Sequence, residues 1–156
     1  VTVPGMESGY HVFFALLAAL SAAIMFGMLY KSSNNTKMIK YLSLGVAVFV
    51  WLSWILVAPV YVNGYGADKA IIKAYPETAN AHKLGMETKE HIFYTGLLLA
   101  TIIPIATYSV DLTKNGSRKL LLWLLATLLI GFIIMDAFGA WIGISAKYAW
   151  SIKAGA

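Results

Sequence analysis

Apolar and polar positions along this chain come in long blocks rather than at the short periods of a water-soluble amphipathic fold. Four apolar runs stand out: Val12–Tyr30, Tyr41–Val62, Ile92–Val110 and Leu120–Ala146. Each is close to or above the ~20 residues that a helix needs to cross a hydrocarbon core of ~30 Å. The first three hold no charged residue, and the fourth holds one, Asp136. In lipid the backbone must satisfy its own hydrogen bonds, so runs of this kind form helices. The pattern predicts an all-α integral membrane four-helix bundle, a single transmembrane domain over residues 1–156 with spans at about 9–30, 39–62, 88–110 and 120–146.

The polar blocks supply the connections. Pro4 and Gly5 open an irregular start, with Ser8 as a helix N-cap. Along the first span Ala15, Ala18, Ala19, Ala22, Ala23 and Gly27 recur at three- to four-residue spacing, which lets a neighbouring helix approach closely. Lys31–Lys37 and Asp111–Lys119 read as short turns. The second span carries Trp51 and Trp54 and is expected to end near Pro59 and Tyr61, where aromatics suit the interface. Asn63-Gly-Tyr-Gly66 is expected to break the chain and open the one longer loop. Pro76 suits the first turn of a helix. A helix running from Pro76 to Val110 has 35 residues and a length of roughly 50 Å, too long for the bilayer alone. About four turns would then project into water unless Gly85 interrupts them, and Pro104 would kink the far half. The fourth helix is expected to close near Lys147, with Trp150 opening a short tail.

Composition sharpens this picture. Charged residues are 12% of the 156, against about 25% in soluble domains. The net charge is +5, but the lysines gather at span ends as headgroup anchors, so nucleic acid is not an expected partner. There is no cysteine, which excludes thiolate metal sites, iron–sulfur clusters and disulfides on this chain. Residues 1–10 carry no basic segment, so a cleavable signal is not expected. Six Lys or Arg flank the short turns and six lie on the other side; the turns carry theirs more densely. They are therefore expected in the cytoplasm of a prokaryotic cell, with the termini and the 63–90 loop outward.

Candidate chemistry centres on His82-Lys-Leu-Gly-Met-Glu-Thr-Lys-Glu-His91, which holds two of the three histidines and two of the seven acids. His11 opens the first span and His91 the third, on the same side. Asp136 lies 17 residues past Lys119, about 25 Å along its helix, and so at a similar level. An intramembrane carboxylate is a functional candidate by default; the bland alternative is a neutral Asp bonded between helices. Glu87 sits one turn before His91 and is positioned to orient its imidazole. His82 is half a turn out of phase with His91 and reads as a solvated loop residue, and Met86 as a packing side chain.

Several chemistries fail on spacing. A di-iron bundle wants paired Glu-x-x-His motifs, a zinc protease His-Glu-x-x-His, a serine hydrolase a nucleophile on a strained turn; none is present. What fits is a b-type haem between His11 and His91, its ring in a slot left by Ala15, Ala18, Ala19 and Gly96. Asp136 and Trp141 would tune that pocket or pass a proton to a quinone. Four-helix membrane cytochromes are similar in general plan. The alternative is a copper or iron site made by His11, His91, Glu87 and Asp136. Glu87-x-x-x-His91 is similar to the acid-x-x-x-His arrangement in the copper site of membrane monooxygenase subunits, whose further downstream histidine has no counterpart here.

The expected function is thus a small membrane subunit of an electron-transfer complex, in contact with lipid and with other membrane subunits. A non-catalytic accessory or scaffolding subunit, packed through its Ala/Gly face, is the competing class. A transporter using Asp136 ranks last, since no inverted repeats are visible.

Overall fold

The computed structural model describes residues 6–155. All its elements are helical: α1 (Met6–Tyr30), α2 (Thr36–Ala74), α3 (Pro76–Asn80), a π-helical turn (Ala81–Met86), α4 (Glu87–Ser109) and α5 (Asn115–Ala154). Four segments are long and apolar enough to cross a membrane: Gly9–Tyr30, Thr36–Pro59, Pro76–Ser109 and Asn115–Ala154. The protein is an all-α membrane helical bundle. The expected start at Pro4 and Gly5 lies outside the described residues, as does the side chain of Ser8. Since α1 is already helical at Met6, Ser8 is inside the helix rather than its cap.

Around the bundle α1 packs on α2 and α5, and α4 packs on the same two helices. α1 and α4 therefore face each other across the diagonal, with no described Cα pair between them within 8 Å. Two of the small residues of α1 are consumed in this packing, Ala18 and Ala22 being fully buried, and Gly45 of α2 sits against Ser21, whose Oγ is 3.4 Å from where a Cβ would lie; Ala23 is exposed and a Cβ at Gly27 would meet open space. Met25, Leu29, Ile39, Val46, Ile103, Leu121 and Leu125 complete a continuous apolar core toward the short turns. Each turn is closed by local chemistry. Asn35 caps α2 by accepting from the Met38 N–H at 3.1 Å. The Asp111 carboxylate accepts from the Thr113 N–H and hydroxyl, which holds its pKa below the ordinary value.

The other end departs from expectation. Neither Pro59 nor Asn63-Gly-Tyr-Gly66 ends α2, which runs through all of them to Ala74. Glycine lowers helix propensity by about 1 kcal/mol, but here tertiary packing overrides it. Tyr65 and Ile72 meet Ala81, Met86, Ile142 and Ala146 in a second, smaller core. The real break is Tyr75, with φ −117° and ψ 128°, because a residue preceding proline is pushed out of the α region. The longer connection is thus itself helical.

α5 also continues past Lys147 to Ala154. Trp150 is therefore in the helix and not in a tail, and its indole N–H donates to Asp68 of α2 at 2.8 Å. At 39 and 40 residues, α2 and α5 are each about 60 Å long and overshoot a ~30 Å hydrocarbon core. Their overhangs, with α3 and the π-helical turn, form a helical cap. Gly85, in the π-helical turn, is closely packed: a Cβ there would stand 3.1 Å from the Trp141 ring. Pro104 is buried within α4, which continues past it to Ser109.

Candidate functional site

Between the membrane core and the cap core lies a layer of polar side chains contributed by all four long helices. On the α1–α2 side His11 and Ser53 form a reciprocal pair. A carbonyl only accepts, so the 2.9 Å contact from His11 Nδ1 to Ser53 O puts the proton on Nδ1. Ser53 Oγ in turn donates to His11 O at 3.0 Å, and lies 2.7 Å from Nδ1. Lys89 and Asp136 act electrostatically on His11 from α4 and α5. Lys89 is folded inward against Gly139, where its Nζ is 3.3 Å from the position of an absent Cβ. A side chain at 139 would crowd the ammonium.

The α4 member of this layer is therefore Lys89 and not His91. Two residues along a helix is about 200°, so whichever of the two points inward, the other points out. His91 is exposed. It lines a groove of about 310 Å³ between α4 and α5, and its Nδ1–H donates to the main-chain carbonyl of Glu87 at 2.7 Å. Glu87 thus orients the imidazole through its backbone. His11 and His91 stand on helices that face each other across the bundle diagonal, with no described Cα pair of α1 and α4 within 8 Å. Of the residues expected to leave a slot, Ala18 is fully buried, Ala15 and Ala19 are half-buried, and Gly96 lines the α4–α5 groove. Among the described residues no three of His, Asp and Glu converge closely enough to hold a metal ion.

Asp136 is exposed on α5 and interacts with both Lys89 and His11 through its charge. Trp141 packs on Gly85 and on Phe138, the latter with ring centroids 6.2 Å apart. Met86 is buried in the cap core.

No family model, curated protein or solved structure matches this chain. Its chemistry is read from its own side chains.

The cap side of the layer holds a second set that sequence reading passed over. Tyr61, beyond Pro59, donates to Glu90 Oε1. Tyr61 and Tyr65 are stacked at 5.6 Å, and the Tyr65 hydroxyl meets His82 Nδ1 at 3.0 Å. The bond to Glu90 raises the Tyr61 pKa to about 12, and burial raises that of Tyr65. His82 is therefore half-buried and bonded rather than solvated, at the edge of a cleft of about 200 Å³ shared with Lys73, Lys83 and Glu87. These links join α2 to the π-helical turn and to α4. Tyr61 and Tyr65 are one helical turn apart, as are Lys83 and Glu87. Their period was visible in the sequence, but the assumed break at residues 63–66 took Tyr65 out of the helix.

Proposed function

We propose that the chain is a non-catalytic accessory subunit of a larger membrane assembly. One observation carries this reading: the polar side chains at the membrane boundary fasten the chain's own helices. His11 and Ser53 tie α1 to α2, Tyr61 and Glu90 tie α2 to α4, Tyr65 and His82 tie α2 to the π-helical turn, and Trp150 and Asp68 tie α5 to α2. Groups engaged in this way are not grouped as nucleophile, base and electrophile around a vacant reacting position. The membrane-facing exterior is broadly apolar, with Leu16, Leu98, Trp123 and Ile133 more than half exposed, and is open to lipid and to helices of neighbouring subunits.

The absence of cysteine allows a direct test. Single substitutions Leu16→Cys, Leu98→Cys, Trp123→Cys and Ile133→Cys sample the faces of α1, α4 and α5 in the native membrane. The accessory reading expects crosslinks to the same protein partners from one face and none from the others, and a purified chain without a visible chromophore. A stoichiometric reduced haem band lost in His11→Ala or His91→Ala would replace it with the electron-transfer reading. Crosslinks to lipid alone from every face would also overturn it.

A further inference from the structure

The π-helical turn accounts for how two side chains of one segment reach α2 together. His82 bonds to Tyr65 and Glu90 to Tyr61, and the two tyrosines stand one turn apart on α2. His82 and Glu90 are eight residues apart, which on an uninterrupted α-helix is about 800° and leaves them about 80° out of line. A π-turn closes over five residues where an α-turn closes over four. Ala81–Met86 therefore absorbs one extra residue, and the interval acts as seven, about 700°, within about 20° of two full turns. The extra residue is what sets both side chains against α2.

We propose that this turn is a register switch: it tightens to α-helix when His82 leaves Tyr65, and α3 turns about Tyr75 to take up the extra residue. α3 is displaced by one helical step, about 1.5 Å and 100°. Tyr75 is already extended, with φ −117° and ψ 128°, and α3 is only five residues long, so little structure has to move. Two hydrogen bonds on the moving side hold the first register, Tyr65 with His82 at 3.0 Å and Thr78 Oγ1–H to Ile72 O at 2.7 Å. The far commoner α-type bonding favours the second. The Tyr61–Glu90 link lies beyond the turn and is kept in both. The cleft lined by Lys73, Ala79, His82, Lys83 and Glu87 straddles the moving and the fixed parts, so its shape changes with the register.

The chain has no cysteine, so Glu77→Cys and Lys147→Cys, both at exposed positions, carry a pair of nitroxide labels in nanodiscs, and double electron–electron resonance reads their separation. The labelled chain is expected to give one main distance. Tyr65→Phe with Thr78→Val removes both holding bonds, and a second discrete distance should rise in population by about three- to tenfold for each bond lost. Tyr65→Phe alone, which removes one oxygen, gives the smaller rise and decides the matter if the double variant unfolds. Deleting Leu84, which is 57% exposed, takes out the extra residue. A deletion inside a helix ordinarily turns one half against the other by about 100°, but this one should leave a folded chain with both tyrosine links and the main distance unchanged. After the deletion the same substitutions should bring no second distance. Absence of a second distance in the undeleted variants overturns the proposal, and so does one that persists after the deletion, since α3 would then simply be fraying. A deleted chain that fails to fold also overturns it.

Discussion

Replacing Ser53 by alanine removes one of the two hydrogen bonds that join α1 to α2 at the membrane boundary, and the geometry says how the loss should combine with that of His11. Three short contacts link the pair, at 2.9, 3.0 and 2.7 Å, but only two hydrogens serve them. Nδ1–H is directed to the Ser53 carbonyl and Oγ–H to the His11 carbonyl. Each side chain thus bonds to the partner's main chain, which the opposite substitution leaves in place. Side-chain hydrogen bonds between membrane helices are worth about 0.6 kcal/mol on average. Ser53→Ala and His11→Phe should each cost about that much, and the double variant about 1.2 kcal/mol. The coupling in the cycle should be near zero. Reversible unfolding by SDS titration in mixed micelles, followed by helical circular dichroism, measures all four species. A coupling of about 1 kcal/mol or more would mean that a hydrogen is shared directly between Oγ and Nδ1, and would refute the assignment of both hydrogens to main-chain carbonyls.

Arg118 makes a second fastener on the opposite side. Its Nε–H donates to Leu112 O at 2.6 Å and Nη2 to Ser33 O at 3.2 Å, so one guanidinium ties the two short turns together. A lysine cannot span both carbonyls, and Arg118→Lys should cost about 1.5–3 kcal/mol in the same assay; an unchanged midpoint would show that the turns are held otherwise. Gly85→Ala should push the Trp141 ring, 3.1 Å from the new Cβ, at a cost of about 1–3 kcal/mol. Adding Trp141→Leu should recover most of the loss, and failure to do so would place the strain elsewhere. Tyr61 should titrate at about 12, against an unfolded value near 10. Its bond to Glu90 therefore stabilises the fold fully below pH ~10 and ceases to do so as pH rises toward 12. Difference spectra at about 295 nm between the chain and Tyr61→Phe report this, and Glu90→Gln should return the phenol to the ordinary range; coincident titration with the other tyrosines would contradict it.

The four spans were legible because a charge-free apolar run near 20 residues has few alternatives. The convergence of polar groups beneath the cap was legible only as a depth. Rise per residue places His11, Asp136 and the start of the third span at one level, but says nothing of which face each presents. That is why His91, the expected site residue of the third span, turned out to be the outward one, and Lys89, two residues before it, the inward residue of α4. The same uncertainty hid the diagonal relation of α1 and α4, since chain order does not fix which helices of a bundle are adjacent.

Composition and run length alone determined that this is a membrane protein, its helix class, its number of spans and the absence of thiol chemistry, since these follow from transfer free energies and residue types that act locally. The tertiary structure alone decided that residues 63–66 remain helical, that the connection is a packed cap and that the boundary polar groups are fasteners. Those outcomes depend on contacts between positions tens of residues apart, such as Tyr65 with His82 and Asp68 with Trp150. Propensity along the chain carries no information about such pairs until the helices are packed.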